Sequence, residues 1–540
     1  MIKNYISLLK QEFKGYGPKS LLSDMMAGLT VCAVALPLAL AFGVSCGADA
    51  AAGLITAVIS GLVISALSGA AFQISGPTGA MSAVLITIIA KDGGELSGVF
   101  LVSLMAGAMM LIAGLLKLGK LVNLIPKPVI TGFTSGIAII IALGQVDNFF
   151  GVHSEGESAV QKLLSYGELG FSPDLASVLI GLLVMAIMIV WPKKWNAKVP
   201  SSLVGIIVAA IVAAFLVPDI ATVGAIPKTI FLEKRLNLAE VNWKTMPSYL
   251  SSALTVAMLG MIESLLCGAS ASAMTKGRFE ADIELVGQGI GNMIIPFFGG
   301  VPATAAIART SVAIKSGCKT RLTGVFHAVF LLLSMFILGD VMSALPMAAL
   351  AGVLMMTAWR MNEWHEIRQI FKRGFKSEIA QYLITLVATV VFDLTVAIVI
   401  GIAFSLLAFI SRVLEIHLDH SEVDASRMPN VDLSKYGETC VVYITGAVFF
   451  ANTQRILDYM AKLPNADRVI LSVRGVSVID PDAALTFKKL AEDYKEAGVE
   501  LLICGVNDKV RKVLDRAGAA ETIGEKNFYW SVDRALFENQ

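Results

Sequence analysis

The sequence predicts a polytopic α-helical membrane protein with a small cytoplasmic α/β domain at its C-terminal end. Three observations carry this. Of 540 residues, 56% are hydrophobic and only 16% charged, where a soluble globular chain carries about a quarter charged. Apolar runs long enough to span a bilayer recur from Leu21 to Phe409. Beyond Arg412 the hydrophobic stretches shorten and the charge rises. A net charge of +1 gives no basic surplus for nucleic acid and no acidic one for disorder. The six cysteines are scattered, Cys32 and Cys267 within apolar runs, and make neither a metal-ligand pattern nor a disulfide framework. No metal or cofactor is expected, and no nucleophile–base constellation suggests an enzyme.

In chain order, residues 1–20 carry Lys3, Lys10, Lys14 and Lys19 without an apolar core and cleavage site. They read as a segment lying on the membrane surface rather than a signal peptide. About twenty apolar residues cross the hydrocarbon core, which places crossings near Asp24–Gly43, Ala50–Leu67, Leu96–Leu116, Val129–Gln145, Leu175–Trp191 and Ser202–Val217. A second set follows near Ser251–Met274, Ile283–Phe298, Leu322–Leu338, Val341–Thr357, Ile379–Phe392 and Leu394–Phe409. Thr78–Ala90 and Ala303–Lys315, each opened by a proline, are too short to span as ordinary helices. Together these make about fourteen segments. Counting both short ones as passes puts the N-terminal lysines, Lys117/Lys120/Lys127, Lys193/Lys194/Lys198, Lys276/Arg278 and Arg360–Lys376 on one side. The mixed loop Pro218–Met246 is the exception. Both termini are therefore expected in the cytoplasm of a bacterial inner membrane. Asp393 reads as a turn at the outer surface.

The chain also repeats itself. Leu29-Thr30-Val31 recurs as Leu254-Thr255-Val256 and Pro77 as Pro302, both 225 residues later (254 − 29 and 302 − 77). Pro126 and Gly132 recur as Pro346 and Gly352 at an offset of 220. Two halves of seven segments, about 21–218 and 247–414, must have opposite topologies because seven is odd. Such inverted repeats place a substrate at the midplane between discontinuous helices.

The two short segments have a matching logic. In Ile74-Ser75-Gly76-Pro77-Thr78-Gly79-Ala80, Gly and Pro break one helix and start another. The new N-terminus presents unpaired N–H groups and a positive dipole end suited to an anion. Val301-Pro302-Ala303-Thr304-Ala305-Ala306 is its counterpart. The plainer alternative is a pair of kinks packed on small residues. Arg309, on the second short helix, offers supplementary positive charge, or else snorkels to the cytoplasmic interface. Glu263, inside Met258–Cys267, is an intramembrane carboxylate able to carry protons, or else a static partner of Arg309 or of a broken backbone. The C-terminal part reads as a polar linker (415–436) followed by an α/β domain (437–540). Strands are expected at Cys440–Thr445, Arg468–Val473 and Val499–Cys504, and helices at Asp482–Ala497 and Asn507–Ala517.

These motifs resemble the sulfate permease (SulP) family of anion transporters over essentially the full length. The likeness rests on Asp24–Gly43 with Ala35-Leu36-Pro37-Leu38-Ala39, on Ser75-Gly76-Pro77-Thr78-Gly79 and on Glu263-Ser264-Leu265-Leu266. Gly287-Gln288-Gly289-Ile290-Gly291-Asn292 and Thr304–Thr310 complete it. The C-terminal domain resembles a STAS domain. The resemblance implies a core and a gate domain within residues 21–414, homodimers and elevator-like transport. It implies an anion pocket at Phe42, Thr78, Gly79, Ala306, Ile307, Ala308 and Arg309. Leu38 stands where many members have Gln. Sodium-coupled bicarbonate members place Asp at the position of Glu263 and hydroxyl residues at those of Cys267 and Ile307. Since sodium prefers oxygen ligands, the pattern resembles instead the proton-coupled dicarboxylate branch, with Glu263 as proton-coupling residue. The expected partner is a small inorganic or organic anion, with the proton as coupling ion. Sodium-coupled bicarbonate transport is one alternative, and an uncoupled anion channel or sensor the other. A nucleobase permease, which shares the architecture, is disfavoured because most lack a STAS domain. STAS proteins switched by phosphorylation have Ser or Thr directly after a helix-opening Asp. Pro481 follows Asp480 here, so Asp480 is expected as a helix cap, with a docking or regulatory role left for the domain.

Overall fold

The computed structural model of the chain describes residues 2–119, 126–155, 159–192, 199–241, 243–275, 277–392, 394–422 and 438–537. Lys120, Lys193, Lys194, Lys198, Lys276, Asp393 and positions 423–436 of the expected linker lie outside the described residues. The chain divides into two compact units, Met1–Ala403 and Phe404–Gln540.

The first unit is helical. An amphipathic α1 (Ile2–Glu12) precedes α2 (Pro18–Ser45) and α3 (Ala50–Leu67), which Asp49 caps by accepting from Ala52 N at 2.6 Å. A two-residue strand β1 (Ser75–Gly76) leads into α4 (Gly79–Lys91), followed by α5 (Ser97–Leu115), α6 (Lys127–Gly144), α7 (Val146–Phe150), α8 (Ala159–Leu169), α9 (Leu175–Val190) and α10 (Ser201–Leu216). The second half contains α11 (Leu250–Thr275), α12 (Ala281–Ile294), β2 (Thr304–Ala305), α13 (Ile307–Lys315), α14 (Leu322–Ser343), α15 (Met347–Met361), α16 (Trp364–Arg373), α17 (Lys376–Val391) and α18 (Leu394–Val413). Among the described residues, six stretches are long and apolar enough to cross a membrane: α2, α3, α5, α6 with α7, α11 with its preceding turn, and α14.

Proline chemistry fixes several boundaries. Pro126 and Pro346 cap α6 and α15 with nearly the same backbone (φ −66°, ψ 145° and φ −64°, ψ 135°). Gly132 then packs on the Tyr382 carbonyl of α17, and Gly352 on the Gly181 carbonyl of α9, so the aligned glycines make equivalent close approaches. Two expected boundaries change. The crossing read as Val341–Thr357 is interrupted, because α14 continues to Ser343 and α15 starts only after Pro346; the residue before a proline is disfavoured in helix. The short segment read as helical from Ala303 is extended up to Ala306. Backbone pairing there takes the groups a helix would need.

The second unit carries a five-stranded sheet in the order β3-β4-β5-β6-β7. Its strands are β3 (His417–Glu422), β4 (Thr439–Val448), β5 (Arg468–Ile479), β6 (Glu500–Cys504) and β7 (Phe528–Tyr529). β3 is antiparallel to β4 and the remaining pairs are parallel. Helices α19 (Phe450–Met460), α20 (Pro481–Glu496), α21 (Asp508–Arg516), α22 (Ala519–Ile523) and α23 (Val532–Phe537) connect and flank the strands. The expected linker 415–436 therefore includes an edge strand. The polar run His417-Leu-Asp-His-Ser-Glu hides it, because an edge strand largely open to water needs few apolar side chains. Asp480 caps α20 as expected, accepting from Ala483 N at 2.7 Å and from Phe450 N at 2.9 Å.

Candidate functional site

β1 and β2 pair antiparallel in the interior of the first unit, Ser75 opposite Ala305 and Gly76 opposite Thr304. Each strand feeds a short helix, so α4 and α13 leave the ladder in opposite directions with their N-termini at its two ends. The extended segments are held by side chains from neighbouring helices. On α3, Thr56 Oγ1 donates to the Val301 carbonyl at 3.1 Å and accepts from Val301 N at 2.7 Å, and Ser60 Oγ donates to the Ser75 carbonyl at 3.2 Å. On α12, Asn292 clamps Ala303, donating to its carbonyl at 2.9 Å and accepting from its amide at 2.7 Å. Gln288 donates to Ser75 Oγ at 2.9 Å and to Glu284 at 2.8 Å. Glu284, fully buried, also accepts from Ser68 Oγ, Gly69 N and Gln73 Nε2. The Gly287–Asn292 motif does not by itself announce this role. The signal was there: Glu284, Gln288 and Asn292 recur every four residues and so share one helix face.

The two helix starts differ. Thr78 caps α4, its Oγ1 accepting from Met81 N at 3.4 Å and donating to Glu263 Oε2 at 3.1 Å. No side chain caps α13. The N–H groups of its first turn have no intrahelical acceptor, and Ile307 (46% exposed) and Ala308 lie on accessible surface there, with Ala306 half-buried. Phe42 and Gly79 are buried together: a Cβ at Gly79 would stand 3.2 Å from the Phe42 ring and 2.3 Å from Ile141 Cδ1 of α6.

Arg309 is 1% exposed. It does not snorkel. Its Nη2 donates to the Pro77 carbonyl, between the ladder and α4, so it ties the second half of the site to the first. Its Nη1 lies 2.0 Å from where a Cβ at Gly76 would stand, so the glycine makes room for the guanidinium. Glu263 is half-buried on α11, and its partner is Thr78 rather than Arg309. Cys267, one turn further on, donates its thiol to Thr310 Oγ1 at 3.3 Å. Thus Phe42, Thr78, Gly79, Glu263 and Arg309 gather round the start of α4, while Ala306, Ile307 and Ala308 form the open start of α13.

Two opposed half-helices inside an apolar helical unit, with a buried guanidinium and a carboxylate at their ends, are the arrangement of a multi-pass membrane transporter. The chain belongs to the sulfate permease family of anion transporters: residues 21–388 match the sulfate permease family model, and residues 430–535 match the STAS domain. It is 32% identical over 538 residues to the putative sulfate transporter YvdB of Bacillus subtilis, covering 96% of this chain and 97% of that one. It is 28% identical to the bicarbonate transporter BicA of Picosynechococcus, over 96% and 94% of the two chains. The solved transmembrane domain of a cyanobacterial BicA superposes with a TM-score of 0.65 at 32% identity, covering 71% of this chain and 98% of that one. Murine Slc26a9 in its inward-facing state superposes with a TM-score of 0.85 at 16% identity, over 98% and 93%, and so shares the fold.

Proposed function

We propose that the chain imports a small anion together with a proton, the anion binding between the starts of α4 and α13 and Glu263 carrying the proton. One observation carries the reading: Glu263 hydrogen-bonds the residue that caps α4, so a carboxylate and an incoming anion would share one positive helix end. Two like charges so close repel strongly in a low-dielectric site. A proton on Glu263 removes that repulsion and allows both to move together. Arg309 and the uncapped amides of α13 supply the fixed positive potential.

The substrate class is dicarboxylate, bicarbonate or sulfate, the last two being those named for the relatives. Neither Cys267 nor Ile307 supplies a hard oxygen ligand, which favours the proton over sodium. Elevator-like movement, a homodimer, a bacterial inner-membrane location with cytoplasmic termini and a regulator-docking role for the STAS domain complete the proposal. The test is uptake of labelled fumarate, succinate, bicarbonate and sulfate into proteoliposomes under a proton gradient or a sodium gradient alone. Accumulation driven by the proton gradient supports the reading and names the substrate. Accumulation that needs sodium overturns the coupling, and current without accumulation would favour a channel.

A further inference from the structure

Glu284 and Gln288 on α12 and Gln73, between α3 and β1, are buried and joined by hydrogen bonds into one unit. Gln73 Nε2 donates to Glu284 Oε1 at 3.0 Å and to the Ser264 carbonyl at 3.1 Å. Gln288 Nε2 donates to the same Glu284 oxygen at 2.8 Å and to Ser75 Oγ at 2.9 Å. A primary amide has two N–H bonds. Each glutamine therefore spends one on the carboxylate and the other on an element of the site. Neither Oε1 has a protein partner, so these N–H bonds are what each side chain contributes. The two arms end at different places. Ser264 follows Glu263 directly on α11. Ser75 pairs with Ala305 in the ladder, and the chain runs on from it through Pro77 to Thr78, the cap of α4.

The other oxygen of Glu284 accepts from Ser68 Oγ and from Gly69 N at 3.0 Å, which anchors the carboxylate to the turn after α3. A Cβ on Gly69 would stand 2.1 Å from the Glu280 carbonyl, so the close approach of that turn to α12 requires the glycine. Donors thus converge on both oxygens of Glu284. A carboxylate accepts on both, whereas a glutamine would turn its own NH2 group on one pair of donors. Buried polar networks of this kind hold one geometry. We propose that Glu284 is a positioning residue for transport: through Gln73 it sets the stretch of α11 that carries Glu263, and through Gln288 it sets β1, which leads to the cap of α4. The effect on transport rests on the proton-coupling reading above; the brace itself does not.

The arms can be cut one at a time. Uptake into proteoliposomes is measured with whichever of labelled fumarate, succinate, bicarbonate and sulfate the wild-type chain accumulates. Gln288→Leu frees Ser75 and should raise KM by about tenfold, the scale of one hydrogen bond, while a proton gradient still drives uptake. Gln73→Leu frees Ser264 and should cut stimulation by the proton gradient at least about twofold, with a smaller rise in KM than in Gln288→Leu. Glu284→Gln should show both defects. A merely structural residue would lower the thermal midpoint and leave KM and stimulation of the folded protein unchanged; that result in Glu284→Gln would overturn the proposal. Hydrogen exchange gives a readout that needs no transport. In Glu284→Gln, amides of Ile74–Thr78 and Met261–Cys267 should exchange about tenfold faster than in wild type, while those of α14 keep their rates. Unchanged exchange in both segments would overturn the positioning role. If the wild-type chain takes up none of the four anions, the transport reading fails and the exchange result still decides the brace.

Discussion

The Thr78 hydroxyl lies 3.1 Å from Glu263 Oε2 while accepting from Met81 N, so one oxygen links the start of α4 to the carboxylate on α11. Sequence separation between the two is 185 residues, and each comes from a different repeat. Under the proposed mechanism, the charge of Glu263 and the occupancy of the helix end are interdependent.

Thr78→Val removes both bonds while keeping the shape. Losing a helix cap costs about 1 kcal/mol and a hydrogen bond to a charged group about 1.5–3 kcal/mol. Uptake assays should show KM for the anion raised by roughly tenfold or more. Thr78→Ser should stay within about threefold of wild type, because it keeps both bonds.

Gly76→Ala should abolish transport without unfolding the protein. A Cβ would stand 2.0 Å from Arg309 Nη1, so the guanidinium must leave its place beside the Pro77 carbonyl. A folded, monodisperse variant with less than about a tenth of wild-type uptake is expected, since a buried charge loses its position. Wild-type uptake would show that Arg309's placement is unimportant.

Glu12 and Arg321 form a buried ion pair at 2.8 Å, each side chain 5% exposed, fastening α1 to the start of α14. Arg321 also donates to the carbonyls of Ala66 and Ser68. Removing one partner strands a buried charge, at about 3–5 kcal/mol. Arg321→Met should therefore lower the thermal midpoint in detergent markedly, and Glu12→Leu combined with it should recover part of the loss.

In the STAS domain, Asp480→Ala removes a cap that serves Ala483 and a bond that serves Phe450. A loss of about 1–2 kcal/mol in local stability is expected, read as faster hydrogen exchange in the first turns of α20 and α19.

Much of this was legible in the sequence. Apolar run lengths locate α2, α3, α5, α6, α11 and α14, and the shared offset of Pro77 and Pro302 marks the two strands that form the ladder. What stayed hidden was long-range polar pairing. Glu284, Gln288 and Asn292 sit in a Gly-rich apolar run, and the partners Ser75 and Ala303 are 213 residues from Gln288 and 11 from Asn292. Asp24 is fully buried yet accepts from Tyr16, Lys319, Thr320 and Thr323, which no local pattern announces. Periodicity reports which face is apolar; it does not report which polar groups meet.

The most direct test of the central claim is Glu263→Gln in proteoliposomes, measured in two modes. A glutamine stands in for the protonated carboxyl, so anion exchange across the membrane should persist while accumulation driven by a proton gradient is lost. Proton-driven accumulation undiminished in this variant would contradict the claim that Glu263 carries the coupled proton.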